Sequence, residues 1–169
     1  CYGGASAGYV RSLLALGFAV RDAGAAFDLA LAVDVPAVDR ARAILAHRAR
    51  ASGATHLLFV DADVSFDAAD IARMVAAIDA DPGIAILGAP VPRRAIAWGQ
   101  VAMAAANGLA ADDPAALARY AGDFQVRLAP GVTSFAVDAP VAAESVGTGL
   151  MLVRAPMRSR AMSSRCSSR

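Results

Sequence analysis

The sequence predicts an α/β domain with a mostly parallel sheet flanked by helices. Helical and strand signals alternate along the chain up to about residue 92, the rhythm of strands joined through crossover helices. The run THLLFV (55–60) is apolar almost without a break, as expected of a strand covered on both faces. Hydrophobic residues make up 57% of the 169 and charged residues 18%, so the chain is long enough and apolar enough for one domain with a core.

The elements follow in order. AGYVRSLLALG (7–17) has apolar residues at Val10, Leu13, Leu14 and Leu16 and reads as a helix stopped by Gly17. FDLALAV (27–33) reads as a strand closed by Asp34 and Pro36. VDRARAILAHRARASG (38–53) is a second helix, with Val38, Ala41, Ile44 and Leu45 on one apolar face and Gly53 as its stop. After the THLLFV strand, DAADIARMVAAIDADPG (67–83) is a third helix. Asp67 is its N-cap, Phe66 and Ile71 form a hydrophobic staple, and Ile71, Met74, Val75 and Ile78 make its buried stripe. GIAILGAPV (83–91) is the next strand. Beyond it the signals weaken: RRAIAWGQVAMAAANG is part helix, and DDPAALARYAG is a short helix with Pro114 in its first turn. FQVRLAP and VTSFAVDAP read as two short strands, and ESVGTGLMLVRA as a glycine turn leading into a strand.

Charge and composition exclude several classes. All 16 basic residues are arginines, and five of them (Arg154, Arg158, Arg160, Arg165 and Arg169) crowd the end of the chain. Residues 1–153 carry 11 arginines against 15 acids, a net of −4, so the folded body lacks the basic face of a nucleic-acid reader. No apolar run reaches the roughly 18–20 residues of a membrane span, and no secretory signal is visible. Cys1 and Cys166 lie at opposite ends in no ligand spacing, which points to a reducing compartment. These features predict a cytoplasmic protein, free in solution or peripheral to a membrane. The Ser/Arg stretch at 156–169 has no apolar period and reads as a disordered tail after a domain at 1–155. The opening CYGG and the abrupt change of composition at the tail suggest a fragment, truncated or frameshifted at its C-terminus.

The chemistry-bearing feature is Asp61-x-Asp63, two carboxylates released at the end of an apolar strand. Residues i and i+2 of an extended segment point the same way, so both carboxylates are placed to converge on one cation at the sheet's C-terminal edge. Oxygen ligands suit Mg²⁺ or Mn²⁺, which bind substrate phosphates. The alternative is structural: Asp61 ends the strand and Asp63 caps a turn. His47 and His56 have no second ligand at metal spacing and read as structural. A P-loop is absent, since no G-x-x-x-x-G-K-[ST] occurs.

The segment RARAILAHRARASGATHLLFVDADVSF resembles the centre of GT-A glycosyltransferases, particularly family-2-like bacterial members, in which an "ARN" helix precedes an apolar strand ending in D-x-D. GAPVPRRAIAW is similar to a "GA-x-YP-x-K-x-x-W" segment of one such group, and ESVGTGLMLVR to its "V-GTG-hydrophobic-R" strand. The likeness runs in order over most of residues 1–155. It implies a Rossmann-like GT-A fold, incomplete here, and transfer of a sugar from a nucleotide-diphosphate donor to a glycan, lipid or protein acceptor. By the same resemblance Asp61 and Asp63 hold Mn²⁺ or Mg²⁺, and Cys1, Tyr2 and Gly3 lie at the nucleotide base. Arg42 approaches the phosphates and Trp98 lies near the sugar or acceptor; read from the residues alone, Arg42 is equally a solvated helix-face arginine and Trp98 a buried core tryptophan. The GTG turn at 147–149 brings backbone close to a ligand.

The pattern departs in places. Ala43 stands where the family has Asn, Val91 replaces an aromatic, and Arg94 keeps the charge of the family's lysine. No acid follows Glu144, so the sequence names no residue to deprotonate an acceptor hydroxyl. Two other readings stand beside the transferase. One is a nucleotide-sugar-binding fragment without activity. The other is a haloacid-dehalogenase-like phosphatase with a nucleophilic aspartate, which this lysine-free chain resembles poorly outside the D-x-D.

Overall fold

The structure, a computed structural model, describes residues 4–132 and 139–155. The expectations placed on Cys1, Tyr2 and Gly3, on most of the VTSFAVDAP strand, and on the Ser/Arg tail lie outside the described residues.

Helix α1 spans Ala7–Asp22. Ser6 caps it, its Oγ accepting from the Tyr9 N–H at 3.1 Å. The predicted stop at Gly17 is passed. Tyr9, Ser12 and Leu16 are buried at helical spacing and Val20 joins the same core, so packing carries the helix through the glycine. The stop is Gly24, left-handed at φ 70°, where the Ala25 N–H reaches the Val20 carbonyl and the Gly24 N–H the Arg21 carbonyl.

Helix α2 (Val38–Ser52) ends at left-handed Gly53, as its sequence predicts. Its predicted apolar face is not buried: Val38 and Ile44 are exposed and no residue of the helix is fully covered. Strand β1 (His56–Val60) follows, then helix α3 (Ala68–Ala80), then strand β2 (Ile86–Gly88). In α3 the Asp67 carboxylate accepts from the Ala69 N–H at 2.9 Å, and Ile71 and Ile78 turn inward.

The stretch read as part helix divides at Ala97, into strand β3 (Pro92–Ile96) and helix α4 (Trp98–Ala106). A 3-10 helix (Pro114–Tyr120) carries Pro114 in its first turn. Strands β4 (Gly122–Phe124), β5 (Val126–Leu128), β6 (Ala143–Val146) and β7 (Leu150–Arg154) complete the order.

These strands overturn the expected Rossmann-like, mostly parallel sheet. Every strand pair among the described residues is antiparallel, in three small sheets: β1-β7-β2, β3-β4 and β5-β6. The topology gives the reason. Strands β1 and β2, joined through α3, both run opposite to β7 and hence in the same direction as each other. Strand β7 arrives late in the chain and takes the slot between them, so their hydrogen bonds go to an antiparallel neighbour. The second correction is FDLALAV. Residues 27–33 form no strand, and their backbone makes no backbone hydrogen bond among the described residues.

The core sits where α1 and α3 pack on the three-stranded sheet. Leu16, Ile71 and Leu150 are its buried centre, joined by Leu58, Val60, Val64, Phe66, Met74 and Val75 among others. Leu152 of the central strand is 1% exposed and Ile78 of α3 fully buried. The larger hydrophobic residues of α2 and of the segment before it contribute nothing to this centre.

Candidate functional site

Asp61 follows β1 directly. Its N–H donates to the Gly149 carbonyl at 2.9 Å, adding one bond to the β1–β7 pairing. The chain then turns: the Val64 N–H donates to the Asp61 carbonyl at 3.0 Å, placing Ala62 and Asp63 at the bend. The argument that Asp61 and Asp63 converge by strand alternation therefore fails, because the strand has ended.

What holds the two carboxylates is side-chain chemistry from two other elements, α2 and β3. Arg42, on α2, donates from Nη2 to Asp61 Oδ1 at 3.0 Å and to the Thr148 carbonyl at 2.9 Å. Its Nη1 donates to Thr148 Oγ1. One guanidinium thus joins the end of β1 to the turn before β7. Arg94, on β3, donates from Nη2 to Asp63 Oδ2. The Arg42 side chain is 23% exposed and the Asp61 side chain 46%, so this pair is partly shielded. The Arg94–Asp63 pair stands in solvent, with side chains 83% and 53% exposed. Two carboxylates face two guanidiniums, and the local charge balances.

The loop is also braced from beneath by α1. The Ser6 N–H donates to the Ala62 carbonyl at 2.9 Å, inside the D-x-D itself. Ser12 Oγ donates to the Phe66 carbonyl at 2.6 Å and accepts from the Phe66 N–H at 2.9 Å, satisfying both backbone groups of one residue. Gly8 permits this close approach: a Cβ there would collide with the Ser65 hydroxyl. Residues 61–66 are therefore tied to both the sheet edge and the start of α1.

The predicted site residues separate into groups. Asp61, Asp63 and Arg42 come together at one rim. Trp98, the first residue of α4, is 69% exposed, and no hydrogen bond links it to the carboxylates. It is not a core tryptophan. Glu144 pairs with Arg127, 3.3 Å away, on the β5–β6 ribbon. His56 sits at the other end of β1 from Asp61, its Nε2 3.2 Å from Asp79 Oδ1. Among the described residues no three His, Cys, Asp or Glu side chains gather as a ready metal cage.

Two contributors were not singled out from the sequence. The Thr148 hydroxyl lies between the two glycines of GTG, a position the sequence reading valued only for backbone approach. Ser12 lies with Tyr9 and Leu16 on the buried face of α1, whereas Val10 and Leu14 of the expected apolar face are exposed. The Tyr9, Ser12, Leu16 spacing was the available signal, since a buried serine must find a partner.

No known protein family, no curated protein and no solved structure matches this chain.

Proposed function

We propose that the chain binds a nucleotide-diphosphate sugar at the Asp61–Asp63 rim and belongs to a glycosyltransferase that passes the sugar to an acceptor. One observation carries this reading. Two half-exposed carboxylates at the end of a core strand are each met by an arginine from a different element, Arg42 and Arg94. Such a set offers oxygen ligands to a cation and planar donors to phosphate oxygens.

The residues fit Mn²⁺ or Mg²⁺. Asp61 and Asp63 supply hard oxygen donors, and these ions retain waters, so two carboxylates and a diphosphate complete their needs. Asp61 and Asp63 would hold the ion, which when bound offsets the negative charge of the departing diphosphate. With a metal ion held by Asp61 and Asp63, Arg42 and Arg94 would be free to exchange carboxylate for phosphate partners. Such an exchange would conserve charge, a dication adding to the two carboxylates and a diphosphate to the two guanidiniums. Thr148 keeps Arg42 oriented during the exchange, because its carbonyl and hydroxyl bond the guanidinium independently of Asp61. The reading predicts that metal and nucleotide bind together far better than either alone.

Calorimetric titration of the full chain with UDP and GDP, with and without Mn²⁺, tests it. Metal-dependent nucleotide binding is expected in the parent and lost in Asp61→Asn and Asp63→Asn. Unchanged nucleotide affinity in both variants overturns the proposal, as does turnover of a generic phosphate ester that depends on Asp61.

A further inference from the structure

A second cleft opens beside this rim. Strands β4 and β5 are one continuous stretch jointed at Gln125, with β4 pairing to β3 and β5 to β6. The joint leaves an open hollow of about 380 Å³ lined by Arg93, Phe124, Gln125, Arg127, Ser145 and Gly147. That volume lies within the usual range for a small-molecule site.

Its polar groups are arranged for an anion. Arg93 neighbours Arg94 on β3. The Gln125 amide, turned with its oxygen toward Arg93, accepts from Nε and Nη2 at 3.1 Å each, and Asp123 lies 3.7 Å from Nη1. Arg93 is thus held in place at the hollow. Arg127 and Ser145 are direct cross-strand partners, and both line the hollow. Arg127 Nε lies 3.3 Å from Glu144, with the arginine side chain 73% exposed. Arg93, Arg127, Gln125 and Ser145 are among the residues that line the hollow, and neither Asp123 nor Glu144, the acids beside the two arginines, is. Phe124, half-exposed, adds an apolar surface.

We propose that this cleft binds a small polar ligand through a carboxylate or phosphate group, with Arg93 and Arg127 gripping the oxyanion and Gln125 and Ser145 bonding the neutral remainder. Forked guanidinium donors match planar carboxylate and tetrahedral phosphate oxygens alike. The site stands whether or not the rim takes a nucleotide sugar, since it shares no side chain with Asp61, Asp63, Arg42 or Arg94. Gly147 of its lining directly precedes Thr148 of the rim in the chain.

The test titrates the full chain with glucuronate, glucose 6-phosphate and glucose at low and high salt. At least one anion is expected to bind, about tenfold or more tighter than glucose and weakening as salt rises. Which of the two wins identifies the oxyanion. Arg127→Gln, at an exposed position that leaves the fold intact, should remove the preference for the anion, and Arg127→Lys should restore part of it. Both should bind Mn²⁺ and UDP as the parent does, and Asp61→Asn should leave anion binding unchanged. Equal affinity for glucose and both anions, no binding of any of the three, or an Arg127→Gln variant that keeps its preference overturns the proposal.

Discussion

Two stretches of this chain look alike as sequence and end in opposite states. THLLFV and FDLALAV are both short, apolar and bounded by polar or turn residues. The first becomes β1, paired along its length with β7, and positions Asp61 at a braced rim. The second has no backbone hydrogen bond among the described residues, and Phe27, Leu29, Leu31 and Val33 stand between 46% and 69% exposed. Propensity is common to both; a partner strand among the described residues is not. β-structure forms where a neighbour accepts the ladder and a face is buried, and the preference of Val, Leu and Phe for strands expresses that fit more than any backbone bias.

The comparison is sharpened most by paired truncations. Leu152→Ala, in the central strand against β1 and β2, should cost about 2–5 kcal/mol, the range for emptying a buried leucine site. Leu31→Ala, 62% exposed, should fall within about 0.5 kcal/mol of the parent. Urea unfolding of the two variants reads both values. A large loss at Leu31 would show that the segment at 27–33 is packed in solution, and would break the contrast.

Ser12→Ala comes next. It strands both the N–H and the carbonyl of Phe66, at about 1–3 kcal/mol for the lost bonds. It also loosens the loop that carries the aspartates. Metal-dependent nucleotide affinity should fall in the variant even where it remains folded, a coupling that the exposed segment cannot show. Undiminished affinity would mean that the rim needs no support from α1.

The smallest effect is a pH dependence on the packed side. Burial pushes the Tyr9 phenol above its usual value of about 10, because the low-dielectric surroundings disfavour the phenolate. Above pH 10 the unfolded chain therefore loses this proton before the folded one. The contribution is full below the unfolded pKa and is lost as pH rises through the folded one, so stability declines at alkaline pH. Tyr9→Phe should flatten that decline in denaturant titrations between about pH 9 and 11.

Much of the architecture was legible from local signals. The N-cap at Asp67, the left-handed stop at Gly53 and the buried pair Ile71 and Ile78 all depend on interactions within a few residues, and sequence records those directly. The stop of α1 was misplaced because Gly17 carries a small helical cost that core packing at Tyr9, Leu16 and Val20 outweighs. The sheet was misread for a non-local reason: nothing in residues 56–88 states that a strand from residues 150–154 will lie between β1 and β2. The D-x-D was visible, and so was Arg42 as a candidate, but the geometry joining them was not. Strand alternation was the argument for convergence, and the turn at Asp61–Val64 removes it.

By itself, then, the sequence determined the helices, the caps, the absence of any apolar run long enough to cross a membrane, and the presence of two carboxylates at the end of one apolar strand. Those are set by composition, period and neighbours close along the chain. Only the tertiary structure decided which strand pairs with which, that FDLALAV finds no strand partner among the described residues, and that Arg42, held by Thr148, reaches Asp61 while Arg94 reaches Asp63 from distant positions. Such pairings are selected by a competition among long-range contacts for the same backbone groups, and no single segment carries the outcome of that competition.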